Sequence, residues 1–224
     1  MRKTSNSPRL HWSWLTTLSI LAVLALLVTF ISLQDNVTRL RIIREGSWVE
    51  LTSAILWFGV AGLYITTTWR GLQSNWHLAC LPVLAALREL DFHVRFNGES
   101  IFSGGTYSDP AISAGYKLYG VIAMTLLITT ALRITKRDIS PFLLAVRSGH
   151  REAWLVTCAM LLLAAAKAID GLRGRAQDLD WNLPWALFDF AETAEEVLEL
   201  GAPMVVATAV AVSWRAASGH ASDT

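Results

Sequence analysis

Long apolar runs without charge, separated by short polar connections, set the pattern of this chain. Such runs match bilayer-crossing helices, which need about 20 predominantly apolar residues each. The runs predict six spans: 13–33, 51–69, 72–87, 112–132, 153–169 and 185–214. The third is the most polar, with Gln73, Asn75, His77 and Pro82 inside it. The last has its apolar part at 200–214, but its helix is expected to begin near Pro184, with Asp180 or Asn182 as its cap. The first run carries no formal charge from Leu10 to Gln34. It is too long for the apolar part of a cleaved signal, about 7–15 residues, and is expected to be a retained span. The expected fold is all-α: a polytopic transmembrane bundle forming a single domain over 13–216, with an N-terminal tail at 1–12 and a flexible tail at 217–224.

Tryptophan placement supports these limits independently. Trp12, Trp14, Trp48, Trp69, Trp76, Trp154, Trp181, Trp185 and Trp214 fall at or near span ends, and Trp57 alone falls mid-span. That is the distribution of an interfacial aromatic belt. The connection Asp138–His150 mixes basic residues with Ile139, Phe142, Leu143, Leu144 and Val146, and reads as a short helix lying on the membrane.

Composition agrees: of 224 residues 53% are hydrophobic and only 17% charged, against about 25% charged in a typical soluble domain. With a net charge of +1 and no basic cluster interleaved with aromatics, nucleic acid is not an expected partner. The lipid bilayer is, together with a second copy of the chain or another membrane subunit. Cys80 and Cys158 lie in apolar runs and read as packing residues. Lys and Arg divide almost evenly between the two sides. The basic Arg133–Arg151 connection favours a cytoplasmic location for its side, and so for both termini.

The acidic residues divide unevenly. With six spans, Asp138, Glu152 and Asp223 share the side of the N-terminus, and the other fifteen of eighteen lie opposite. Four groups there are candidates for chemistry. On a helix, Asp189, Glu192, Glu196 and Glu199 fall within about 80° of arc, and Glu195 widens that to about 120°. Carboxylates this close repel, so a cation, a basic neighbour or protonation must offset them. Glu89, Asp91, His93 and Arg95 alternate with apolar residues before the turn signal Asn97-Gly98, which brings a carboxylate near an imidazole in either a strand or a helix. Glu50 and Ser53 share one face at the start of the second span. Lys117 and Lys167 are the expected counter-charges, with Lys167 placed to pair with Asp170 at i,i+3.

Two functional expectations follow. In the first, Glu50, Glu89, Asp91, Asp170, Glu192, Glu196 and Glu199 bind a divalent cation or proton in a transport or accessory role; oxygen ligands suit Ca²⁺, Mg²⁺ or Mn²⁺. In the second, the chain is a membrane-embedded hydrolase or transferase acting on lipid, with His93 and Asp91 as acid/base and Ser53 as nucleophile. A third alternative is an assembly subunit in which the polar residues serve helix packing. His77 reads as a packed or water-contacting histidine.

The stretches Arg44-Glu45-Gly46-Ser47-Trp48-Val49-Glu50, Arg88-Glu89-Leu90-Asp91-Phe92-His93 and Glu195-Glu196-Val197-Leu198-Glu199-Leu200 resemble those of a set of small uncharacterised bacterial inner-membrane proteins. The resemblance implies the multi-pass topology and an inner-membrane location, and no activity. Glu50 and Ser53 also resemble the first acidic and serine positions of the alkaline ceramidase and progestin-receptor-like superfamily. Its zinc site needs a His-x-x-x-His pair in the last span, and 185–214 contains no histidine.

Overall fold

A computed structural model describes residues 9–43, 47–69, 72–92 and 100–221, with side chains at these positions except 9–14, 36, 72–74 and 216–221. Ten helices are described: α1 (Arg9–Ser32), α2 (Asn36–Ile43), α3 (Trp48–Thr68), α4 (Leu72–Glu89), α5 (Gly104–Ser108), α6 (Ala114–Arg137), α7 (Ile139–Arg147), α8 (Arg151–Ile169), α9 (Leu172–Asp178) and α10 (Trp185–Ala221). The described residues contain no strand. The six expected spans correspond to α1, α3, α4, α6, α8 and α10, and the expected surface helix to α7.

Large apolar side chains face outward on these helices. Leu18, Leu26 and Phe30 of α1 are each at least 60% exposed, as are Ile122 and Leu161 to a similar degree on α6 and α8. A water-soluble monomer rarely leaves so much contiguous apolar surface uncovered. Lipid is the solvent that suits it, and the chain is a multi-pass membrane protein. Trp48, Trp69, Trp154, Trp181, Trp185 and Trp214 are exposed, whereas mid-span Trp57 is buried.

The packing divides the chain into two compact units, 1–53 with 148–224, and 54–147. In the first, α10 packs along α8 and α1. Its core gathers Leu24, Ile31, Ile43 and Val197. Gly201 of α10 has no room for a side chain: a Cβ there would collide with Leu24 and come within 3.4 Å of Leu162. Glycine lets the helices approach closely here, as small residues do at membrane helix contacts. In the second unit, α6 packs against α4 and α7.

Local signals set the helix ends. Asp35 begins α2, its carboxylate accepting the backbone N–H groups of Val37 and Thr38 at 3.1 Å. The Thr38 side chain and backbone hold the Asp35 carboxyl below the usual carboxylate range. Asp91 ends α4 with φ of 51°: its N–H bonds to the Arg88 carbonyl and that of Phe92 to the Leu87 carbonyl. This is the Schellman arrangement, in which a left-handed residue caps the last turn and aspartate is tolerated. Asp180 (φ 52°) does the same for α9, through bonds to Gln177 and from Trp181 to Ala176. Asp180 therefore closes α9 and does not cap α10. Pro184 precedes α10 and accepts the N–H of Leu187 at 2.9 Å.

Five segments have the length and composition to cross a membrane, the segment Val37–Thr68 that contains α3 among them; α4 is not one. At 18 residues α4 reaches about 27 Å, close to the bilayer core of about 30 Å. What disqualifies it is the polarity of its first two turns, where Asn75 also breaks the helical dihedrals (φ −120°, ψ 21°). Contacts within the first unit set the sense of its helices. Gly201 meets Leu24, and Asp189, twelve residues earlier in α10, meets Arg39, fifteen residues later than Leu24. So α10 runs antiparallel to α1, with Arg39 and Asp189 at the same end of the unit. In a membrane, an even number of crossings must separate them.

Sealed vesicles carrying Val37→Cys or Leu187→Cys, in a Cys80→Ser, Cys158→Ser background, test this count. An impermeant maleimide is expected to label both positions from one side. Labelling from opposite sides would overturn the antiparallel pairing of α1 with α10.

Candidate functional site

The carboxylate stripe of α10 is the part of the sequence-derived site that the structure renders most completely. Leu24 and Leu162 lie near the centres of their apolar spans, 15–32 and 151–169. Gly201, wedged against both, therefore marks the middle level of the three-helix unit. Counting 1.5 Å per residue back along α10, Asp189 stands about 18 Å from that level, Glu192 about 14 Å, Glu196 about 8 Å and Glu199 about 3 Å. Burial follows depth. Glu192 is exposed, Glu195 and Glu196 are half-buried, and Glu199 is only 8% exposed.

Each acid has its own surroundings. Asp189 at the outer end pairs with Arg39 of α2 at 2.9 Å, and the Arg39 side chain is 9% exposed. Arg39, which the sequence reading left in a connection, is thus the counter-charge of the stripe's outermost member. Its Nε has no hydrogen-bond partner among the described residues. Glu192 and Glu195 line a shallow cleft of about 200 Å³ where α8 ends and α9 begins, with Gly171, Leu172 and Arg173 opposite. Arg173 lies over the rings of Trp185 and Phe188, at 5.3 and 5.7 Å from their centres. The cleft is open at Glu192 and Glu195.

At the deep end, Glu199 precedes Pro203 by one turn. Proline has no N–H, so the Glu199 carbonyl loses the helix donor it would otherwise have. Pro203 is itself fully buried, as are Val197, Ala202 and Val205. Glu199 thus combines a carboxyl group and a released carbonyl at one level of an apolar helix.

Other expected site residues take different roles. Lys167 pairs with Asp170 as their spacing predicts, and Arg175 donates to the carbonyls of Ala168 and Asp170, closing the end of α8. Both Lys167 and Asp170 are well exposed. Glu50 is the fourth residue of Ser47-Trp48-Val49-Glu50, and the Ser47 hydroxyl accepts its N–H at 3.3 Å. That is half of a capping box, with the carboxylate favourably placed at a helix N-terminus. Lys117 lies in the first turn of α6 and donates to the Asp109 carbonyl at 2.8 Å. It serves the loop before its own helix and is not placed as a counter-charge to α10 by any contact of its unit. Glu89 is buried in the last turn of α4 with Arg88 at 3.3 Å, and Asp91 is the residue that closes that helix.

No three His, Cys, Asp or Glu side chains gather to hold a metal ion among the described residues. The seven carboxylates proposed as ligands are therefore not brought together as a cage. Ser53 is buried, and its hydroxyl has no hydrogen-bond partner among the described residues. His93, its expected catalytic companion, lies outside the described residues, as does Arg95.

A histidine that the sequence reading dismissed holds the clearest long-range polar contact. His77 Nε2 lies 2.7 Å from Asp138 Oδ2 across 61 positions of sequence. Nothing local to either residue signals the other.

Arg39→Ala is expected to lower stability in detergent by about 2–3 kcal/mol, since removing one member strands the other without its partner. Asp189→Asn is expected to cost at least as much, because the cation it strands is the more deeply buried partner. A thermal-melt double-mutant cycle checks this: the double variant should lose less than the two singles added together.

Compared with known proteins, the chain matches no family model, no curated protein and no solved structure.

Proposed function

We propose that the chain is a multi-pass membrane protein that binds and passes protons along the carboxylates of α10, in a transport or accessory role. One observation carries the reading: Glu199 is buried at the mid-level of the unit's apolar spans. An ionisable side chain at that depth is costly and signals function by default, and carboxylate chains are a recurring form of proton relay. Glu196 and Glu192 extend the stripe outward at spacings of about 4–6 Å along the helix axis. The cleft at Glu192 and Glu195 supplies its aqueous end.

Between the two cargoes suggested by an acidic stripe, the arrangement favours the proton. A divalent ion such as Ca²⁺ takes six to eight oxygen ligands, converging from several segments. A row on one helix, spread over about 15 Å of depth, offers successive single carboxylates instead. Protonation also removes the mutual repulsion of neighbouring acids without any new ligand. The basic connection after α6, with Arg133, Lys136, Arg137 and Arg147, favours a cytoplasmic location for that side in a bacterial inner membrane.

Proteoliposomes containing the full chain and an internal pH dye, driven by a pH gradient with the potential clamped, test this. Wild-type protein is expected to admit protons faster than empty vesicles. Glu199→Gln should reduce the rate at least tenfold, and exposed Glu192→Gln only a few-fold. Glu199→Gln protein that elutes and melts like wild type yet conducts equally would overturn the reading, as would wild-type vesicles no leakier than empty ones. Millimolar Ca²⁺ or Mn²⁺ titrated by calorimetry would favour a cation cargo if heat appeared in wild type and vanished in Glu199→Gln.

A further inference from the structure

His77 lies outside the α10 stripe, in the other compact unit, and plays no part in the proposal above. It stands in α4 just beyond the break at Asn75 and is completely buried. Its two ring nitrogens have unlike surroundings. Nε2 lies 2.7 Å from Asp138 Oδ2, and the Asp138 side chain is 28% exposed, giving the pair an edge in contact with water. Nδ1 has no hydrogen-bond partner among the described residues. Trp76 meets the imidazole edge-on at 6.0 Å between ring centres, and Arg133 lies over the Trp76 ring at 5.8 Å.

The charged groups around the pair come from few elements. On α6 they are Arg133, Arg137 and Asp138 itself, which caps that helix. From α3 the Tyr64 phenol lies within electrostatic reach of Asp138 and Arg137. On α7, packed against α6, Arg147 is the only charged residue. The group in direct contact with the imidazole is thus an anion.

A histidine kept only to fill space would have both nitrogens satisfied, because buried polar atoms without partners are rare and unfavourable. Here the carboxylate fixes one proton at Nε2, and the atom left over is the one where a second proton can add. With neutral imidazole the pair carries a net charge of −1; with imidazolium it is neutral. Taking up a proton therefore relieves the buried pair of its uncompensated charge. We propose that His77 is a second proton-binding site of this protein, in which Nδ1 takes the proton and Asp138 holds Nε2–H and balances the charge. The step adds one proton from water or hydronium to the Nδ1 lone pair and breaks no other bond. Asp138 is a positioning residue: it touches the proton acceptor and not the incoming proton. Its backbone carbonyl also accepts the N–H of Phe142 at 2.9 Å, opening α7, so the strength of the His77–Asp138 bond bears directly on the α6–α7 joint.

Deuterium exchange at histidine C2–H, followed by mass spectrometry on the full chain in detergent from pH 4 to 9, reads this site by itself. The other four histidines serve as internal references. The His77 rate is expected to follow a sigmoid in pH. Asp138→Asn should displace that sigmoid to lower pH, because the anion that favours the charged ring is gone. Asp138→Glu should restore most of it. A flat His77 profile in wild type would overturn the proposal without recourse to any variant, and so would superimposable profiles in wild type and Asp138→Asn. Neither outcome depends on proton flux or on Glu199, so this site and the α10 stripe stand or fall separately.

Discussion

The close contact of Gly201 with Leu24 and Leu162 governs the first unit of this protein. With glycine at 201, the backbone of α10 settles against Leu24 of α1 and Leu162 of α8, near the centres of those two apolar spans. Register then follows without further choice. Fifteen residues beyond Leu24 and twelve before Gly201, Arg39 and Asp189 meet and form their ion pair. The antiparallel sense of α1 and α10 fixes the number of crossings between them as even. The same contact assigns Glu199 its depth. A side chain at 201 would push α10 outward, and the depth, the ion pair and the register would all change together.

Seen from that level, the many acids of this chain separate by what compensates them. Asp35, Glu50 and Asp91 shape helix ends: the first accepts backbone donors, the second lies at an N-terminus, and the third takes the left-handed turn. Asp170 and Asp189 answer to Lys167 and Arg39. These residues do structural work at the membrane faces, where water and basic side chains are at hand. Glu199 is different in kind. It is buried where the carboxylate stripe gives way to the apolar part of α10, one turn before Pro203. A single acidic patch in the sequence thus resolves into separate tasks, which is why the carboxylates do not assemble into one metal site.

The spans were legible because lipid imposes a one-dimensional rule: about 20 residues without charge, with tryptophan at the edges. The α10 helix starts where expected and runs seven residues further, α6 starts two residues later and ends five later, and α8 begins two residues before its expected start. The helix α2 was not legible. Its eight residues are too short for a periodic signal, and Arg39 acquires meaning only through Asp189, 150 positions away. The same applies to His77 and Asp138. Ser47-Trp48-Val49-Glu50 spells half of a capping box in plain sequence, and the Ser47 hydroxyl does accept the Glu50 N–H. Position along the chain reveals depth; it does not reveal partners, and partners decide what a buried charge does.

Helix α4 shows the consequence most clearly. Composition rejects it as a span because it counts each polar residue as though lipid surrounded it. His77, one of those polar residues, is completely buried and meets Asp138. Proline distribution carries the point further. Of α1, α3, α4, α6, α8 and α10, only α4 and α10 contain proline, Pro82 and Pro203. These are the two helices that bury His77 and Glu199. Each proline leaves one carbonyl, of Leu78 and of Glu199, without its helix donor. In both, the freed carbonyl lies within one residue of the titratable side chain. A helix whose ladder is already open can adjust there with fewer bonds to break.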